Sequence, residues 1–502
     1  MLSLSFNAGS KYMSLKGKTV NGLIWSSVDQ FASHAIMFGI GIILARLLTP
    51  REFGLIGMLT IFIAISTSFI NSGFSQALIR KKNCTPEDYS TVFYFNFIVG
   101  LLTYLILFFS APFISAFFKE PQLILLVRVF GLVLVIDSFS VIQRTTLTKR
   151  INFKLQTRIS IISTSCSGIV GIAMAYAGYG VWSLVFKAIS MKTINSALLW
   201  LWNKWRPIKT FSRQSFNELF SFGSKLLAAG LMDTAYKNIY YLVIGKYFSA
   251  AELGFYTRAD MFKELPSQNI NGIISRVSYP VMASLQNDDD QLKAGYKRLI
   301  TCTMLISFVL MMGMAAVAEP MVITLIGENW RPSIIYLQML CFVGMLMPLH
   351  ALNLNILKVK GRSDLFLKLE IIKKILAIPI IIIGVFFGIK SMIVGMIVNS
   401  LIGYYLNSYW SGKLIRYPMR EQAIDIMPSF SIAVSTSLLV YFSGWLLPDI
   451  YLFRLIIQIS IGFGFTFFFC ELFRLKEYIY IKDIIKTKFC SKKPVIELSI
   501  GE

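Results

Sequence analysis

Charge is scarce in this sequence. Only 15% of its 502 residues are Asp, Glu, Lys or Arg, against roughly 25% in an ordinary soluble domain. A chain this long has too little polar surface to coat a soluble particle, which excludes a soluble enzyme and a disordered scaffold. Its six cysteines (Cys84, Cys166, Cys302, Cys341, Cys470, Cys490) are scattered, and none forms a C-x-x-C pair. That spacing offers no metal site and no disulfide framework, so a secreted disulfide domain is excluded and the thiols read as small packing residues. The N-terminus lacks a charged, apolar and cleavable pattern, and residues 1–18 are polar and basic, so no cleaved signal peptide is expected. A nucleotide loop is missing as well. Gly17-Lys18-Thr19 has the right ending, but Tyr12 stands where the motif needs glycine and no strand precedes it. The run Asp288-Asp289-Asp290 has Lys293 where a calcium loop needs glycine. Neither a cofactor nor a metal is expected.

What the sequence has is apolar length: 55% of its residues are hydrophobic, in long unbroken runs such as 101–110 and 378–387. A spanning helix takes about 20 apolar residues, and a chain in lipid must satisfy its own backbone. A β-barrel would instead show alternation over about ten residues. The sequence therefore predicts an all-α polytopic membrane protein with about 14 transmembrane helices. They are placed at about 21–45, 54–79, 91–118, 122–144, 158–178, 181–202, 216–245, 254–285, 298–326, 333–358, 365–388, 391–411, 425–447 and 452–474. The gaps between them carry Pro, Gly or charge, and none is long enough for a separate soluble domain.

Basic residues outnumber acidic ones 49 to 26. Their distribution assigns the excess to membrane orientation and not to nucleic acid. The N-terminal segment, the even-numbered gaps and the C-terminal tail hold 32 of the 49, while the odd-numbered gaps hold 8. By the positive-inside rule both termini and the even gaps face the cytoplasm, as an even number of spans requires.

An internal repeat is visible. Residues 43–54 read ILARLLTPREFG and residues 243–254 read VIGKYFSAAELG, pairing Arg46 with Lys246, Glu52 with Glu252 and Gly54 with Gly254 at an offset of 200. The first and seventh spans share one orientation, so the repeat is parallel. The expected architecture is a cytoplasmic N-terminal segment (1–20) and two pseudo-symmetric six-helix lobes, an N-lobe (21–202) and a C-lobe (216–411). Two extra C-terminal helices (425–474) and a basic tail (475–502) follow.

These motifs carry a resemblance. ARLLTPREFGLIGM (45–58), FSAAELGFYTRADMF (248–262), Pro266, VSYPVMASLQND (277–288) and Tyr296–Arg298 resemble bacterial polysaccharide flippases. These are the Wzx-type and teichuronic-acid-exporter-like members of the multidrug/oligosaccharidyl-lipid/polysaccharide superfamily. The resemblance implies a V-shaped pair of lobes and alternating access in the bacterial cytoplasmic (inner) membrane. It also implies export of an undecaprenyl-pyrophosphate-linked oligosaccharide for surface polysaccharide, with a polymerase and glycosyltransferases as partners beside the lipid bilayer.

Ionisable groups within a span mark a cavity or pathway by default. Helix 1 carries Asp29, Gln30 and His34 on one side; helix 7 carries Lys225, Asp233 and Lys237; helix 8 carries Lys263, Glu264, Gln268, Asn269, Asn271 and Arg276. In the resembled fold these three helices would face the cleft. A pyrophosphate wants Lys and Arg donors, which makes Lys237, Lys263, Arg276, Lys225 and Arg258 candidates, with snorkelling at helix ends the competing reading of Lys225 and Arg258. Sugar hydroxyls want Gln268, Asn269, Asn271 and the rings of Tyr236, Tyr240 and Tyr241. Asp29 and Asp233, with His34, are the candidates for ion coupling; the competing reading of Asp233 is simple neutralisation of Lys237. Arg128 and Asp137 read as a structural pair, and Pro266, Pro280, Pro320, Pro348 and Pro379 as helix interruptions. No group is a catalytic candidate: a membrane glycosyltransferase or polymerase would need acid/base carboxylates at the outer surface, and the odd gaps are short. The closer rival is a multidrug or other lipid exporter of the same superfamily.

Overall fold

The computed structural model describes residues 15–71 and 73–490, with backbone alone at some positions, Arg276 among them. Most of the segment 1–20 and the last part of the basic tail lie outside the described residues. The chain forms two compact units, the first running to Leu253 and the second from Gly254. Among the described residues every regular element is helical.

The first unit contains α1 (Leu15–Leu47), α2 (Pro50–Asn71), α3 (Phe74–Arg80), α4 (Pro86–Phe118), α5 (Leu123–Phe130), α6 (Leu132–Ser138), α7 (Val141–Lys149), α8 (Phe153–Tyr176), α9 (Val181–Trp202) and α10 (Arg213–Tyr247). Local chemistry sets several of the helix starts. Thr85 and Asp88 form a reciprocal capping box before α4, with Pro86 in the first turn. Asn152 caps α8 and Ser212 caps α10 through their side chains. Helix α1 packs on α8, α8 on α9, and α10 along α2. A cluster of Phe74, Leu78, Phe93, Ile142 and Leu219 ties α3, α4, α7 and α10 together.

The second unit takes up α11 (Ala250–Ser284) after its first turn, then α12 (Asp289–Ala316), α13 (Ala318–Ile326), a 3₁₀ turn at Glu328–Trp330, α14 (Ser333–Gly344), α15 (Met347–Val359), α16 (Ser363–Phe387), α17 (Ile389–Ile415), α18 (Met419–Leu446), α19 (Tyr451–Leu472) and α20 (Lys476–Cys490). Asp288 caps α12, accepting from the amides of Asp290 and Gln291. Helix α12 packs on α18, α16 on α17, and α18 on α19. Pro266 and Pro280 lie inside a continuous α11 and do not break it, whereas Pro348 opens α15 just past the end of α14.

Helix occupies all fourteen expected intervals, but only ten stretches among the described residues are long and apolar enough to cross a membrane on length and composition. Of the other four intervals, those of α10, α11 and α16 fall short, while the described apolar part of α1 is Phe31–Leu47. The reason is local. Asp233, Lys237 and Asn238 dilute α10, a polar run from Lys263 to Asn271 dilutes α11, and Glu370, Lys373 and Lys374 sit in α16. Two of these three, α10 and α11, are helices singled out for their polar clusters. Large apolar side chains elsewhere stand exposed, such as Phe113 on α4, Phe386 on α16 and Trp445 on α18, as a lipid-facing surface requires.

The repeat extends through the helix order. Helix α1 ends at Leu47 and α2 opens at Pro50, while α10 ends at Tyr247 and α11 opens at Ala250, 200 residues on. The stretches 123–149 and 333–359 are both 27 residues long. Helices α18 and α19 come after α17 in the second unit.

Candidate functional site

The repeat motif is a helix-start device. Glu52 Oε2 accepts from Thr49 N at 2.6 Å and from Thr49 Oγ1 at 2.9 Å, while Pro50 takes a position that needs no donor. At the second copy, Glu252 N donates to Ser249 Oγ at 3.1 Å. Both copies use the S/T-x-x-E pattern of a capping box. Gly54 is there for space: a Cβ at that position would lie 1.6 Å from the Ala250 carbonyl oxygen. Gly254 is buried, and Arg46 is exposed in the last turn of α1. Lys246 Nζ donates to the Phe117 carbonyl at 2.5 Å and lies 4.3 Å from the Phe117 ring centroid. There it satisfies one of the last carbonyls of α4 and complements that helix end.

On α1, Asp29 is half-buried and accepts from Ser33 Oγ at 3.2 Å; Ser33 in turn lies 3.0 Å from Ser160 Oγ on α8. His34 is half-buried, and its Nδ1 has no hydrogen-bond partner among the described residues. On α10, Asp233 and Lys237 pair at 2.8 Å with side-chain exposures of 49% and 70%. Lys237 is therefore not a buried cation waiting to be stranded. Lys225 is exposed, Tyr236 half-buried and Tyr240 buried. A hydroxyl pair, Ser68 and Thr234 at 3.0 Å, joins α10 to α2. Outside the spans, Lys81 in the α3–α4 turn reaches Glu218 at 2.9 Å and Asp88 at 3.1 Å. The bond to Glu218 raises its ammonium above the usual lysine range.

On α11 one of the candidate cations already has partners. Lys263 is buried, with Asp260 at 2.6 Å and Glu264 at 2.7 Å. One cation between two carboxylates is a neutralising partner, and its charge is not free for an anion. Gln268 Nε2 donates to the same Glu264 at 2.8 Å. Asn269 gives its amide to the Leu265 carbonyl at 2.9 Å, and the buried Oδ1 atoms of Asn269 and Asn271 have no partner among the described residues. Arg258 lies 5.8 Å from the Trp330 ring centroid and donates toward Met261 Sδ at 3.0 Å. The side chain of Arg276 lies outside those described.

One correction concerns Asp137. It pairs with Arg144 at 2.7 Å and Lys192 at 2.9 Å, not with Arg128, which stacks 4.6 Å over Phe108. Lys192, a cation inside α9, thus has a carboxylate partner. Lys373 is likewise bonded to Glu370 on its own helix. Asp260, Glu370 and half-buried His350, which meets Ser400 at 3.0 Å, are not among the sequence candidates. The i,i+3 spacings of Asp260 with Lys263 and Glu370 with Lys373 were the available signal.

Comparison with known proteins follows the same lines. The profile of a family described as "Polysaccharide biosynthesis protein" matches residues 43–335, more than half of the chain. The teichuronic acid biosynthesis protein TuaB of Bacillus subtilis is 26% identical over 355 residues, 70% of this chain and 73% of that protein. The lipopolysaccharide biosynthesis protein WzxC of Escherichia coli is 26% identical over 447 residues, 86% and 89% of the two chains. Among solved structures, the lipid II flippase MurJ in an inward closed conformation superposes with a TM-score of 0.74 at 14% identity, covering 92% of this chain and 100% of that one. At that identity the likeness speaks to the fold alone.

Proposed function

The chain belongs to the family of polysaccharide biosynthesis proteins, and from that membership we propose that it is a flippase for a lipid-linked oligosaccharide. The substrate is an undecaprenyl-pyrophosphate-linked repeat unit, moved from the inner to the outer leaflet of a bacterial cytoplasmic membrane by alternating access. The observation that carries the reading is the family match over residues 43–335. Physical features support transport over synthesis. The chain is almost wholly membrane helix, and its inter-helix gaps are too short for a catalytic domain. The polar clusters of α1, α10 and α11 sit within helices, where a translocation path would need them. Glycosyltransferases and a polymerase are then partners before and after the transport step, and both termini are cytoplasmic.

The site roles we assign follow the polar clusters of α1, α10 and α11. Lys225 and Lys237 are exposed on α10, and with Arg276 they are the cations we assign to the pyrophosphate. Gln268, Asn269, Asn271 and Tyr236 supply hydroxyl partners. Asp29 and Asp233 are the carboxylates for coupling, with His34 beside Asp29. Lys263 holds Asp260 and Glu264 in place.

The deciding experiment is deletion of the gene in its own host, followed by mass analysis of lipid-linked glycans. An intact repeat unit accumulating on its lipid carrier is the expected result. Normal lipid-linked glycan with a changed sensitivity to cationic drugs would move the assignment to a multidrug exporter.

A further inference from the structure

We propose that the ends of α2, α5 and α9 opposite the basic gaps of the first unit form a saccharide-binding subsite. These ends enclose a cavity of about 510 Å³, within the roughly 300–1,000 Å³ of ligand sites. Its walls combine two aromatic side chains, Tyr179 and Trp182, with three planar polar groups, Arg51, Glu52 and Gln122. Sugars need that combination. Their C–H faces lie against aromatic rings, and their neighbouring hydroxyls bridge the paired atoms of carboxylate, amide and guanidinium groups.

Two of these polar groups, Glu52 and Arg51, have partners in the protein. Thr49 fixes Glu52 through its backbone and hydroxyl, and Glu120 fixes Arg51 at 2.9 Å. The turn Gly178-Tyr179-Gly180 is shaped to this wall. Both glycines have positive φ, 81° and 53°, and a Cβ at Gly180 would lie 2.3 Å from Glu52 Oε1. The turn therefore sets Tyr179, 57% exposed, at the rim of a site whose carboxylate it must clear. Arg51 is paired with Glu120 and the wall also carries Glu52, so it has no surplus positive charge. It suits a neutral sugar better than a phosphate headgroup. Which sugar is met, and that this face is the outer one, rests on the proposed function; the binding itself does not.

The test uses the full chain in nanodiscs of phosphatidylethanolamine and phosphatidylglycerol. The probe is the oligosaccharide mixture released by mild acid from the producing cells' own surface polysaccharide. Saturation-transfer NMR should detect binding to the wild type. Trp182→Ala and Gln122→Ala should each weaken it at least tenfold with unchanged thermal midpoints; Gln122 is exposed and tolerates the change. Absence of binding to the wild type overturns the proposal. So does binding that survives both substitutions, which would leave Tyr179 and Trp182 as interfacial aromatics, or displacement by glycerol phosphate but not by saccharide. Deletion without build-up of lipid-linked glycan would sink the flippase reading and leave this binding result standing.

Discussion

At the residue scale the deciding question is whether a charge already has a partner. Lys263 lies within 2.7 Å of both Asp260 and Glu264 and is buried. Removing it leaves two neighbouring carboxylates without their shared counter-charge, and breaking a buried pair costs about 3–5 kcal/mol. Lys263→Met should therefore lower the thermal midpoint sharply. Adding Asp260→Asn and Glu264→Gln should restore most of the loss. A single variant with wild-type stability would show that the ammonium is not neutralising that pair. Asp233 predicts the opposite behaviour. Its partnership with Lys237 is largely exposed, and such i,i+4 pairs contribute about 0.3–0.5 kcal/mol. Asp233→Asn should shift the midpoint by no more than about 2 °C. A loss of transport in that variant would then report on coupling and not on folding.

At the scale of elements, the repeat motif controls how helices begin and how closely they approach. Gly54 admits the Ala250 carbonyl where a methyl group would overlap it at 1.6 Å. Backbone on the far side cannot rotate away as a side chain can, so Gly54→Ala should abolish or strongly reduce the folded yield in detergent. Gly39 on α1 is the control, with nothing within 4 Å of a Cβ. Gly39→Ala should leave stability unchanged or raise it by up to about 1 kcal/mol through helix propensity. Fluorescence-detected size exclusion of the two variants reads both outcomes. Equal yields would mean that α2 and the first turn of α11 can separate freely.

At the scale of the whole molecule, orientation is set by where the basic residues gather. Positions 81, 209 and 413 lie in or beside even-numbered gaps, and 119 and 449 in odd-numbered ones. Single cysteines placed at Lys81, Lys209 and Lys413 should react only with a membrane-permeant maleimide, whereas those at Lys119 and Asp449 should react with an impermeant one. Impermeant labelling at Lys209 would invert the second set of helices and end the parallel-repeat architecture.

Composition and periodicity determined the class of this protein. Fifteen per cent charge and long apolar runs leave no alternative to membrane helices. The offset of 200 between two turns located the repeat, because a capping box and a packing glycine are local signatures written in adjacent residues. The polar clusters of α1, α10 and α11 were legible for the same reason, since an ionisable residue in an apolar run is visible without a partner. Partnership was decided only by the tertiary structure. Asp137 chose Arg144 and Lys192 over Arg128, and the cavity by Trp182 drew its walls from three helix ends that are distant in sequence. A linear spacing rule sees neighbours one turn away. It has no access to which helix faces which, and that is what fixes whether a charge is spent on the fold or left for a ligand.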